Sequence, residues 1–219
     1  LQVTASGASA HAASHYLGDN AIYKMMPVIQ GIRDLDQRLR SGLGSHPILG
    51  NGTVVVTDAT VRTASLNAVP DLFTIYLDRR ITLNEPPDLR NDLRGLIPDY
   101  LQQEIVVKEL FYDTPSYTGF VFPVAKYFPA WAMEDTHPLV QAGQQALQAL
   151  WGQALPLGKW DFSTNGTYWM GKAQIPSIGF GPGDEVTAHT MNEHVLLDDV
   201  VRATEWYAWL PRVLADKLR

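Results

Sequence analysis

One histidine of this chain stands where it could bind a metal ion. His189 follows a Gly-Pro-Gly turn at 181–183 and precedes a segment whose apolar residues recur at helical spacing. Proline has no N–H to donate and glycine tolerates positive φ, so a strand predicted over residues 177–180 must end at this turn. The imidazole would then lie at the carboxyl end of that strand. It is either a metal ligand or a polar group at the start of the following helix.

The composition limits the chemistry that this histidine could share. The chain of 219 residues contains no cysteine, so a metal site would have to use His, Asp and Glu side chains. The net charge is −6 and the Lys and Arg residues are scattered, which argues against a nucleic-acid partner. The apolar runs are far shorter than the ~20 residues that span a bilayer. We therefore expect a cytoplasmic protein with neither a nucleic-acid nor a membrane partner.

The first half of the chain predicts a ferredoxin-like domain. Alternating residues indicate strands, and apolar residues at helical spacing indicate helices between them. The predicted elements are strands over 1–5, 53–64, 72–81 and 104–111, and helices over 22–39 and 86–101. The order βαββαβ is that of the split ferredoxin-like motif, so we predict one domain over residues 1–112.

Residues 113–219 predict a second unit of mixed character. It contains predicted helices over 138–150, 166–172 and 195–214, and predicted strands over 160–163 and 177–180. The fold class of the whole chain is therefore α/β, of the α+β kind.

Four blocks of sequence, in this order, resemble the co-catalytic zinc metallopeptidase and deacylase family. They span residues 7–25, residues 67–71 running into 76–85, residues 162–166, and the Gly-Pro-Gly-x5-His segment at 181–189. Within or beside them stand Gly-Asp-Asn-Ala-Ile-Tyr-Lys-Met at 18–25, Asp-Arg-Arg at 78–80, Phe-Ser-Thr-Asn-Gly at 162–166 and Gly-Phe-Gly-Pro-Gly at 179–183. The family includes succinyl-diaminopimelate desuccinylase, acetylornithine deacetylase, aminoacylases and glutamate carboxypeptidase. The blocks are most similar to those of YgeY-type, selenium-metabolism-linked hydrolases. The resemblance implies a dimerisation or lid domain over 1–112, followed by the C-terminal portion of a zinc-hydrolase catalytic domain.

The resemblance assigns roles to two histidines. The family's intact active site holds two zinc ions that share a water, and His189 matches its last ligand. His11 matches a histidine that the dimerisation domain presents across the dimer to the partner's active site, where it donates a hydrogen bond to the oxyanion. His15 is close by, but His11 holds the matching position.

The resemblance also assigns four substrate-binding residues. Asn67 and Arg80 match an amide and a guanidinium that hold the substrate carboxylate, a task that suits their forked donors. Asn165 and Gly166 match a loop that contacts substrate through backbone and amide groups. An alternative for Arg80 is a salt bridge, for instance with Glu85. Its neighbour Arg79 points to the other face of the strand, which favours a structural role.

The resemblance covers only the later part of the family's pattern. Family members are longer, and their first half carries the remaining metal ligands and the general base. This implies that the chain is the C-terminal portion of a homodimeric, zinc-dependent amidohydrolase or peptidase, inactive on its own. Its substrate would be a small N-acyl amino acid or peptide cleaved next to a carboxylate. The alternative is a dimerisation or ligand-binding module that works without catalysis.

Overall fold

The computed structural model describes residues 1–85, 88–160 and 162–218. The chain divides into two compact units, Leu1–Tyr127 and Phe128–Arg219.

The first unit is built on a four-stranded antiparallel sheet. Its strands are β1 (Gln2–Ser6), β2 (Thr53–Arg62), β3 (Leu72–Arg80) and β4 (Ile105–Lys108), in the spatial order β2-β3-β1-β4. β1 lies between β3 and β4, which are separated from it in sequence by helices, so the connections are those of the ferredoxin-like motif. The predicted fold of this domain is confirmed.

Two helices cover one face of this sheet. α1 (Ala21–Arg40) begins at Asn20, whose side chain accepts the backbone N–H of Ile22, and it continues through Pro27. Its apolar stripe packs on alternate residues of the strands. The core formed in this way includes Met25, Val28, Ile32, Leu35 and Leu39 of α1 with Val3, Ile75, Leu77, Ile105 and Val107 of the sheet.

The second helix is shorter than predicted. α2 (Leu89–Arg94) begins after Asp88, which accepts two backbone N–H groups, and ends at Gly95. A single 3-10 turn, Asp99–Leu101, follows Pro98. Glycine and proline end the helix where the periodicity alone suggested that it continues to 101. The predicted start of this helix, at residues 86 and 87, lies outside the described residues.

A short hairpin extends the first unit beyond residue 112. β5 (Phe111–Tyr112) pairs with β6 (Val124–Ala125), so residues 113–127 return to the first unit. The sequence placed the domain boundary at 112 because aromatic residues and prolines begin there. The boundary between the compact units lies after Tyr127 instead.

In the second unit, the regular secondary structure of the described residues consists of helices joined by long irregular segments. α3 (Pro138–Trp151) and α5 (Leu197–Lys217) pack together around Ala146, Leu147 and Trp206, and α4 (Gly166–Trp169) is a single turn. The predictions of strands over 160–163 and 177–180 are wrong: residues 160, 162, 163 and 177–180 form no strand. Residue 161, which the first of these predictions includes, lies outside the described residues. A strand needs a hydrogen-bonded neighbour, and the described part of this unit contains none. Ile178 and Phe180 pack on the α3–α5 cluster instead.

Across the described ranges, every helix is too short or too polar to cross a membrane.

Candidate functional site

His11 is held as a hydrogen-bond donor at the surface of the first unit. It caps a 3-10 turn, Ala12–Leu17, and its Nδ1 accepts the backbone N–H of Ala13 at 3.1 Å. A neutral imidazole whose Nδ1 is an acceptor carries its proton on Nε2. His11 is an exposed residue of this unit. This is the tautomer that an oxyanion donor needs.

Asn67 lies beside His11. The segments that carry them form an antiparallel bridge between His11 and Ala68, with the N–H of Ala12 donating to the carbonyl of Asn67 at 2.8 Å. The Asn67 side chain is exposed and its Oδ1 accepts the hydroxyl of Ser65 at 2.7 Å. The structure thus brings two of the predicted site residues together, although they are far apart in sequence.

An ammonium group fixes the loop that carries His11. Lys24 forms ion pairs with Asp19 and Glu104, and its Nζ donates to the carbonyl of Ser6 at 2.9 Å. Burial works to lower the pKa of Lys24, but the hydrogen bonds that its ammonium donates to the two carboxylates, together with their negative charges, outweigh burial and raise the pKa. Ser6 and Asp19 stand at the two ends of this loop, so Lys24 anchors both. Sequence reasoning missed this cluster, because its carboxylates are distant from each other along the chain.

Arg80 lies at the other end of β3 from Asn67. β3 begins at Leu72, beside Ser6, and runs for nine residues, roughly 25 Å, to Arg80. The Arg80 guanidinium is exposed and forms a bidentate pair with Asp78 at 2.7 and 3.1 Å. Its suggested alternative partner, Glu85, instead pairs with Arg79. One chain therefore presents Arg80 and the His11–Asn67 pair at opposite ends of the sheet.

Asn165 and Gly166 begin α4 in the second unit. Asn165 is exposed, and Gly166 donates its N–H to the hydroxyl of Thr164 at 3.2 Å. A Cβ at Gly166 would lie 2.3 Å from the ring of Trp131, so only glycine fits there. Contact of this loop with substrate stays a prediction.

His189 is exposed and its backbone has φ of 61°. Its N–H donates to Glu193 at 3.0 Å, which supports this unusual conformation. Within the described ranges, His, Asp and Glu side chains nowhere gather in groups of three or more that could hold a metal ion. Zinc sites use three or four protein ligands, so the described residues do not make a zinc site around His189.

The ferredoxin-like fold of the first unit is that of a known domain family. Residues 1–106 match the M20 peptidase dimerisation domain.

Among its relatives is YgeY of Escherichia coli (strain K12), with 38% identity over 211 residues, 96% of this chain and 51% of YgeY. The chain is 26% identical to N-formyl-4-amino-5-aminomethyl-2-methylpyrimidine deformylase of Bacillus subtilis (strain 168), over 89% of this chain and 46% of that enzyme. The chain spans about half the length of these relatives.

Solved structures share the fold. Aminopeptidase PepT from Bacillus cereus superposes with a TM-score of 0.65 at 14% identity, over 98% of this chain and 51% of PepT. The M20 family metallo-carboxypeptidase Sso-CP2 from Sulfolobus solfataricus gives a TM-score of 0.55 at 15% identity, over 97% of this chain and 58% of that one.

Proposed function

We propose that this chain is the dimerising, substrate-binding portion of a zinc-dependent amidohydrolase or peptidase that cleaves an amide or peptide bond next to a carboxylate. The observation that carries the proposal is the geometry of His11. Its Nδ1 accepts the N–H of Ala13, which leaves Nε2 as the donor, and the backbone of Asn67 lies beside it across an antiparallel bridge. A hydrogen-bond donor fixed at the surface in this way suits the negative oxygen that develops when water attacks an amide carbonyl.

The distance between Arg80 and His11 supports a site shared between two subunits. A substrate small enough to be an N-acyl amino acid cannot touch both ends of a nine-residue strand. In a two-fold dimer, His11 and Asn67 of one chain can serve the site to which the other chain contributes Arg80. Arg80 would leave Asp78 and take the substrate carboxylate in its place, because both offer the same pair of oxygens.

Zinc enters this proposal only through His189. One imidazole does not hold a zinc ion, so the other ligands of both ions would have to come from residues beyond those described here. The residues of this chain would bind and orient the substrate and stabilise the oxyanion.

The alternative function is that of a dimerisation or ligand-binding module without catalysis. It is supported by the lack of a metal-ligand cluster among the described residues. The described residues offer no cluster of three metal-ligating side chains, whereas they do offer a complete dimerisation-type domain. Activity and metal content separate the two functions.

We expect the chain on its own to bind zinc weakly and to hydrolyse no N-acyl amino acid, because its described residues form no group of three metal-ligating side chains. Elemental analysis after dialysis checks the metal content, with His189→Ala as the matched control for binding at this residue. Close to two tightly held zinc ions per chain would contradict the proposed division of the site.

We also expect the chain to self-associate through its first unit. β2 is an edge strand of ten residues, and an exposed edge can pair with a second copy of itself about a two-fold axis. Sedimentation velocity over a range of micromolar concentrations checks this. A strict monomer throughout the range would argue against a dimeric site.

A further inference from the structure

A buried ion pair lies at the end of β3. The side chains of Arg79 and Glu85 are 3% and 2% exposed, and their charged groups are in direct contact. A second carboxylate, that of Asp92 in α2, lies 3.7 Å from Arg79 Nη2. Burying two charges is costly unless their hydrogen-bonding groups find partners.

Arg79 also donates hydrogen bonds to the backbone of the last residue pair of the β2–β3 ladder. Its Nη1 donates to the carbonyl of Arg80 at 2.6 Å and to that of Thr53 at 3.3 Å, and these two residues face each other across the strands. Glu85 accepts the N–H of Thr82 at 2.9 Å with its other oxygen. One guanidinium therefore joins the ends of two strands to the loop that follows them.

The loop before β2 is shaped around this pair. A Cβ on Gly52 would lie 2.1 Å from Glu85 Oε1 and 2.9 Å from Arg79 Nη1. A Cβ on Gly44, whose φ is +65°, would lie 2.5 Å from Glu85 Cγ. Both positions need glycine, so the chain closes over the pair and shields it from water.

The residue next to Arg79 is Arg80, whose side chain is 55% exposed. Alternate residues of a strand point to opposite faces, so the buried guanidinium cannot reach a substrate that the exposed one binds. We propose that Arg79, paired with Glu85, is a positioning residue: it fixes the backbone of Arg80 so that Arg80 meets the substrate carboxylate at the right place. This inference rests on the proposed function, in which Arg80 binds that carboxylate.

Loss of this anchoring should weaken substrate binding without slowing the chemical step. The carboxylate is held equally in the ground state and the transition state, so its loss raises KM and leaves kcat close to that of the wild type. A charge-assisted bidentate contact strengthens binding by about ten- to hundredfold. If Arg80 is displaced, part of this gain in affinity is lost.

The test is a double-mutant cycle in the complete protein, as its gene encodes it. Arg79→Met combined with Glu85→Gln removes both charges, so neither is left buried and unpaired. We expect KM for an N-acetyl amino acid to rise about tenfold, with kcat changed less than twofold, and no further rise when Arg80→Ala is already present. For the corresponding amino acid amide, which lacks the carboxylate, KM should be the same in the wild type and the variant.

The outcomes are distinguishable. If Arg80→Ala itself leaves KM unchanged, the proposed role of Arg80 fails. If Arg80→Ala raises KM but the Arg79 and Glu85 changes multiply that rise, or act equally on the amide, Arg79 is only structural and the inference is overturned.

If the doubly changed chain does not fold, Arg79→Lys keeps the charge but loses the forked donors, and it should raise KM by a smaller factor in the same carboxylate-dependent way. Arg40→Met, which removes an exposed guanidinium paired with Asp36 on α1, is the control and should change neither constant.

Discussion

Two nearly inactive variants of the complete protein should restore activity to each other when they are mixed. His11→Ala is expected to lower kcat by about 10²–10³, because its Nε2–H donor serves an oxyanion that forms only in the transition state. His189→Ala should be inactive through loss of a metal ligand. If His11 acts in the neighbouring subunit, a mixed dimer has one site with both defects and one with neither. Exchange of subunits should then return about a quarter of the wild-type activity, since about half of the dimers are mixed.

The control for this experiment uses the same two changes. A His11→Ala chain mixed with a chain that carries both His11→Ala and His189→Ala has no intact site in any pairing, and should stay inactive. Native mass spectrometry of differently tagged chains shows whether mixed dimers form. Mixed dimers without recovered activity would mean that His11 acts within its own subunit or has no catalytic role.

Trp206→Ala should destabilise the second unit by about 3–5 kcal/mol, the range for removing a large buried aromatic side chain. Trp206 is 2% exposed, its Nε1–H donates to the carbonyl of Gly143 at 3.1 Å, and its ring centroid lies 4.6 Å from that of Phe180. A Cβ at Gly143 would lie 3.3 Å from the Trp206 ring, so α3 and α5 are in close contact at this point. Urea unfolding followed by the helical circular dichroism signal gives the free energy of unfolding.

Two further variants separate the causes of this loss. Trp169→Ala removes an indole that is 49% exposed in α4 and should cost much less than the same change at Trp206. Trp206→Phe keeps a ring but removes the N–H, so it should lie between the wild type and the alanine variant. Equal losses for the two alanine variants would show that Trp206 does not hold α3 and α5 together.

The spacing of apolar residues predicted those helices and strands whose formation depends on their own sequence. α1 was recognisable because its apolar residues recur at helical spacing, and β1 because its residues alternate. The strand predicted over 177–180 failed for a reason that the pattern does not contain: its residues suit a strand, but no described strand of the second unit lies beside them.

The candidate site shows the same division between local and distant causes. The role of Arg79 as a buried structural residue followed from strand alternation, yet its partner did not, because Glu85 folds back from the next loop. The tautomer of His11 depends on one backbone N–H two residues away, and the anchoring of its loop depends on Glu104. Such contacts are fixed by the tertiary fold, so spacing alone could not supply them.

The β2–β3 ladder also limits which changes of length this fold can tolerate. Arg79 and Arg80 face opposite sides of β3, so deleting one residue of that strand would carry the buried guanidinium into water and turn its neighbour inward. The same deletion would shorten the distance between Arg80 and the end of the sheet where His11 and Asn67 lie. The loop over 113–123 lies outside this ladder. Relatives of this protein should therefore differ in length in that loop, while the interval from Asn67 to Arg80 stays constant.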